Sequence, residues 1–116
     1  MTDSVQMHVE STDNAQHVRL QGRLDSAGVE ELELKFFAAT AAARKNAVVD
    51  LSEVTFLASM AIRMLVMAAK RVVRGGHQLV LLNPTGLVDE TLEIADLYSL
   101  IPVARSEEEA NNLIAG

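Results

Sequence analysis

Ser59 is the side chain in this sequence best placed to do chemistry. It lies in Leu57-Ala-Ser-Met-Ala61, after a short apolar run from Ala47 to Leu51 and before a long amphipathic segment ending at Arg74. That order reads as a buried strand, a loop over Ser52 to Leu57, and a helix. Ser59 would be the helix N-cap, its hydroxyl accepting a bond from a free backbone N–H one turn on. A phosphate on the same oxygen would face unpaired N–H groups at the positive end of the helix dipole. Asp25 and Ser26 are cap candidates for an earlier helix. Asp25 and Asp50 are expected to converge with Ser59 at one end of the sheet, where strand C-termini meet helix N-termini.

Other chemistries find little support. His8, His17 and His77 are far apart and lack metal-ligand spacing. Ser59 is not in a Gly-x-Ser-x-Gly elbow, which argues against a hydrolase. No P-loop and no Gly-x-Gly-x-x-Gly occurs, so no nucleotide motif and no cofactor is implied. With no cysteine, thiolate zinc sites, disulfides and thiol nucleophiles are excluded. The reading is of a protein that is not an enzyme.

The 116 residues suit one domain, taken as 1–116. Hydrophobic residues make up 49% but aromatics only 3%, so the core must come from Val, Leu, Ile, Ala and Met. A net charge of −6 argues against gripping a nucleic-acid backbone. Lys70, Arg71 and Arg74 are read as cations offsetting a helix C-terminal dipole. No stretch is long and apolar enough to span a bilayer, and Met1 to Glu10 lacks the cationic start and apolar run of a signal peptide. The default expectation is a cytoplasmic protein without membrane insertion.

These side chains need elements to hold them. Val5 to Val9 and His17 to Leu24 alternate, with Thr12-Asp-Asn between them, which predicts a hairpin. Gly22 marks a bulge or a close backbone approach. A helix follows from Asp25, with Val29, Leu32, Phe36, Ala39 and Ala43 on its inner stripe. After the central strand and helix, Gly75-Gly76 ends the helix. Gln78 to Leu82 is an internal parallel strand. Asn83-Pro-Thr85 caps a helix with Leu87, Val88, Thr91, Leu92 and Ala95 inward. Leu100 to Val103 is a terminal strand, and Ser106 with Glu109 makes the capping box of a last helix carrying Ala110, Leu113 and Ile114. The order predicts an α/β domain with a mostly parallel sheet.

The central helix carries two apolar stripes. Ile62, Leu65, Val66, Ala69, Val72 and Val73 are expected to face the sheet. Met60, Met64 and Met67 form a second stripe beside Arg63 and Arg71. Those methionines are either core filler or an exposed, adaptable surface for a protein partner.

Several segments in this order resemble STAS domains of the anti-sigma factor antagonist type. They are Gly22-Arg-Leu-Asp25, Val48-Val-Asp-Leu-Ser-x-Val-x-Phe56, Leu79-Val-Leu-Leu-Asn-Pro84 and Leu97-Tyr-Ser-Leu-Ile-Pro-Val103. The resemblance implies a mixed, mostly parallel sheet of four to five strands with four helices. It implies binding to an anti-sigma factor, often a serine-protein kinase, and so indirect regulation of transcription. Phosphorylation at the position of Ser59 would block binding, and a serine phosphatase would restore it. Asp25, Ser26, Ala58, Met60, Arg63, Met64 and Met67 are the expected partner-binding residues. The family's usual Asp-Ser-Ser/Thr-Gly-Leu-Gly is here Ala58-Ser-Met-Ala-Ile-Arg63: the serine remains, while its acidic neighbour and both glycines are replaced. Alternative readings are a non-catalytic subunit of a lipid-transport or stress-signalling complex, and a small-ligand sensor. A homodimer stays open.

Overall fold

The computed structural model describes residues 5–115. The parts of the domain and N-terminal expectations that concern residues 1–4 and 116 lie outside them. The elements are β1 (Gln6–Ser11), β2 (Ala15–Leu24), α1 (Ser26–Ala39), β3 (Asn46–Leu57), α2 (Ser59–Arg74), β4 (Leu79–Leu82), α3 (Gly86–Ile94), β5 (Val103–Ala104) and α4 (Glu107–Ala115). The strands form one sheet in the order β1-β2-β3-β4-β5. β1 is antiparallel to β2 and all later pairings are parallel, as expected.

Strand alternation divides the core. Val18 and Leu20 of β2, Val49 and Leu51 of β3 and Leu81 of β4 point to one face, where Phe36 of α1, Leu65 of α2 and Leu92 of α3 cover them. Val48, Val80 and Leu82 point to the other, covered by Ala110 and Ile114 of α4. β4 is buried at all four positions, which explains its unbroken apolar run. Of the face expected to be buried over Val5 to Val9, Val5 lies in the core and Met7 packs against it, while Val9 is left 45% exposed.

The largest departure is the length of β3. Ser52 to Leu57, expected as a loop, continues the strand. Val54 and Leu57 are buried, and Val54-Thr-Phe56 favours a pleated chain. The register with β2 slips between Arg19 and Gln21 and again between Gly22 and Arg23. At the second slip β3 carries the extra residue, Thr55, and Gly22, at φ 98°, sits opposite it, so the irregularity expected at Gly22 is present. The third helix is rotated from its expected setting: Val88 and Leu92 are buried, but Leu87 and Ala95 are exposed. Leu100 to Ile101 forms the approach to β5 rather than part of it. In the last capping box, Ser106 Oγ accepts from Glu109 N at 3.1 Å, and the Glu109 carboxylate accepts from Arg105 N rather than from Ser106.

A clasp ties α3 to the segment before β5. Tyr98 Oη donates to Asp89 Oδ1 at 2.6 Å, and Arg105 reaches the same oxygen at 3.2 Å. The Tyr98 bond, and then Arg105, hold the Asp89 carboxyl below its ordinary range. Burial, and then the Asp89 bond, push the Tyr98 phenol up. Asp89 therefore adds stability above the ordinary carboxylate range, and loses it as pH falls through its depressed value. Tyr98→Phe should cost about 1 kcal/mol at pH 7. In urea titrations the gap between wild type and Asp89→Asn should close in acid. A gap that stays constant down to pH 2 would contradict the clasp.

Candidate functional site

The site begins with two strands that end side by side. Leu24 and Leu57 are paired at the close of β2 and β3. Ala58 N then donates to Leu24 O at 2.9 Å. This bond carries the strand pairing one residue further and places Asp25 and Ser26, which open α1, beside Ala58 and Ser59, which open α2. Gly28 allows α1 to start so close to the strand. A Cβ there would lie 2.5 Å from the Arg23 carbonyl oxygen.

The two helix starts differ. Asp25 is a true N-cap: its backbone is extended, and Oδ1 accepts from Gly28 N at 2.9 Å. Its other oxygen lies 3.8 Å from Arg23 Nε, and the Arg23 guanidinium stacks on Phe56 at 4.4 Å from the ring centre. α2 has no side-chain cap. The N-cap is Ala58, not Ser59 as expected, and Ser59 is the first helical residue. The strand runs on to Leu57, so the turn into the helix falls on Ala58 and the serine is pushed one place inward. Its hydroxyl is thereby released from capping. Among the described residues no acceptor is paired with the N–H of Ser59 or Met60. No acidic residue lies in the first turn to offset the dipole.

Ser59, Met60 and Arg63 are exposed, as is Ser26, while Asp25, Ala58 and Met67 are half-buried. Met64 is a correction. It was expected on the partner-binding surface but is 0% exposed, against 43% for Met60. Four residues advance a helix by about 400°, so Met64 sits roughly 40° further round than Met60, over the edge of the buried face. That face is built from Ala61, Met64, Leu65, Ala68, Ala69 and Val72. The expected inner stripe was set too far the other way: Val73 is exposed, and Ile62 and Val66 are half-buried.

Asp50 does not reach the site. It lies mid-strand opposite Arg19, accepting from Ser52 N at 2.9 Å. The seven residues that β3 adds beyond it span about 23 Å. Arg23 and Phe56 do belong to this end of the sheet, and sequence reasoning missed them. The signal was their placement immediately before Leu24 and Leu57. Among the described residues no group of three His, Asp or Glu side chains is placed to hold a metal ion, and no helix is long and apolar enough to cross a membrane.

The family model described as "Mlab, STAS domain" matches residues 7–102. The chain belongs to the STAS domain family. BtrV of Bordetella bronchiseptica, which carries the name of an anti-sigma factor antagonist, is 33% identical over 91 residues, covering 78% of each chain. The fold is shared with an anti-sigma factor antagonist from Mycobacterium paratuberculosis, with a TM-score of 0.86, 22% identity and coverage of 98% of this chain and 97% of that one. It is also shared with the Bacillus cell fate determinant SpoIIAA in its phosphorylated form, with a TM-score of 0.65, 19% identity and coverage of 93% and 99%. This STAS domain thus has the architecture expected from its sequence: a five-stranded mixed sheet with four helices.

The two methionines separate surface from core. Met64→Ala should cost about 2–5 kcal/mol of stability, as a cavity under α2. Met60→Ala should stay within about 0.5 kcal/mol of wild type. Chemical denaturation measures both, and equal losses would place Met60 in the core as well.

Proposed function

We propose that this STAS domain is an anti-sigma factor antagonist that docks through the start of α2 and is switched off by phosphorylation of Ser59. The observation that carries the reading is an exposed hydroxyl in an uncapped first helical turn, flanked by Met60 and Arg63. The name of the Bordetella relative and the solved phosphorylated form of SpoIIAA support it. The partner would be an anti-sigma factor of the serine-protein kinase type, with a serine phosphatase to reset the switch. The domain acts by binding in the cytoplasm rather than by catalysis, and it influences transcription without touching nucleic acid.

The physics of the switch follows from the helix start. A phosphoserine carries roughly −1.5 to −2 charges and three strong acceptors. Placed on Ser59, it meets two unpaired N–H groups, the positive end of the dipole, and Arg63 one turn on. The folded domain tolerates or favours it. A partner that packs on Met60 must instead bury a doubly charged group, so the modification costs binding without unfolding the domain.

Asp25, Ser26, Ala58 and Met67 would complete the docking surface around Ser59, Met60 and Arg63. Mass spectrometry after incubation with ATP and the cognate kinase should find phosphate on Ser59 alone. Ser59→Asp should weaken partner binding by about tenfold or more, while its stability is unchanged or rises by about 0.3–1 kcal/mol. Ser59→Ala should bind normally. Phosphate elsewhere, or Ser59→Asp binding like wild type, contradicts the proposal. A second reading, a non-catalytic subunit of a lipid-transport complex, draws on the "Mlab" description of the family model and on the replaced glycines after Ser59. A stably co-purifying membrane ATPase would favour it.

A further inference from the structure

The far end of α2 carries a second surface. Arg74 is fifteen residues beyond Ser59, about 22 Å along the helix axis, so this region is separate from the proposed switch. Here α2 and the segment leading into β5 leave a groove between them. Its floor and walls are Val66, Val73, Leu100 and Ile101, and Lys70 and Arg74 stand on its rim. Val73 and Leu100 are large apolar side chains left 62% and 66% exposed. Among the described residues neither Lys70 nor Arg74 forms an ion pair, whereas the neighbouring Arg71 stacks on Phe37 at 4.7 Å. An apolar recess with unpaired cations at its edge calls for an occupant that is apolar in the middle and acidic at the sides.

The same chain displays such an element. α3 buries Val88 and Leu92, so its opposite side faces water. That side presents Leu87 and Ile94, 56% and 86% exposed, two turns apart. Glu90 lies between them and Glu93 beside them, both exposed. Packing α3 through Val88 and Leu92 is what leaves this apolar and acidic face outward. A chain with net charge −6 repels its own copies in general, so a local match of acid to base is what can orient one copy on another.

We propose that the outer face of α3 of one copy seats in the groove between α2 and Leu100 of a second copy. Leu87 and Ile94 cover Val73 and Leu100, and Glu90 and Glu93 meet Lys70 and Arg74. The contact leaves Ser59 free, so self-association and the Ser59 switch are independent and are tested separately.

Sedimentation velocity over a concentration series tests it at low salt. The wild type should shift from monomer to a larger species, and added salt should reverse the shift. Lys70→Glu with Arg74→Glu should weaken association by about tenfold or more, with unchanged circular dichroism because both sites are exposed. Glu90→Lys with Glu93→Lys should weaken it equally. Mixing the two double variants should restore association, since each supplies the charge the other lacks. A wild type that remains monomeric at millimolar concentration overturns the proposal. So does association that ignores the charge reversals, or a mixture that fails to recover. A protein that instead pellets with anionic lipid vesicles through Lys70 and Arg74, without self-associating, would assign the groove to a membrane surface and overturn it too.

Discussion

The arrangement rests on the parallel pairing of β2 and β3, which survives two register slips and runs to the last residue of both strands. Parallel neighbours end at the same edge of a sheet, so the helices that follow them begin together. Here the pairing extends into the loop through Ala58 N and Leu24 O, and the first turns of α1 and α2 are fixed relative to each other. Gly28 permits the close approach and Asp25 locks α1 in place. α2 gains its position from the strand and from packing, not from a cap. That is why its opening turn can do without a side-chain cap.

An uncapped start has a cost. A Ser, Asp or Asn at the N-cap is worth about 1 kcal/mol over Ala. α2 offsets this by burying Ala61, Met64, Leu65, Ala68, Ala69 and Val72, each side chain contributing according to its size. Small residues at three of these six positions let the helix lie close to the sheet, and Met64 fills the gap that remains. The exposed arc of the same helix then carries Ser59, Arg63, Lys70 and Arg74 in a line. A single helix thus presents an exposed hydroxyl at one end and an apolar groove with a basic rim at the other.

Much of this was legible because it is local. The hairpin, the Asp25 cap, the irregularity at Gly22 and the Ser106 cap each depend on a few adjacent residues, and each is found. The order of elements followed from the spacing of apolar runs and turn residues. What failed was phase and extent. Met64 and Met60 differ by a small rotation that only the packing partner sets, and the same is true of Leu87 against Val88. Ser52 and Glu53 interrupt the apolar pattern of β3 and make the strand look too short, although they sit at the irregular stretch facing β2. That error moved the helix start by one residue and drew Asp50 into a site it does not reach. The family resemblance points to Ser59 as a position. It could not tell that the hydroxyl is free of capping, because that depends on where the strand stops.

The central claim is a rigid strand-end platform bearing an open helical turn, and amide hydrogen exchange followed by NMR tests it most directly. The Ala58 amide should exchange as slowly as the core of the sheet, because it is held until β2 and β3 separate. The Ser59 and Met60 amides, one and two residues on, should exchange at nearly the unprotected rate. Fast exchange at Ala58, or protection of Ser59 and Met60 in the free domain, would contradict the account.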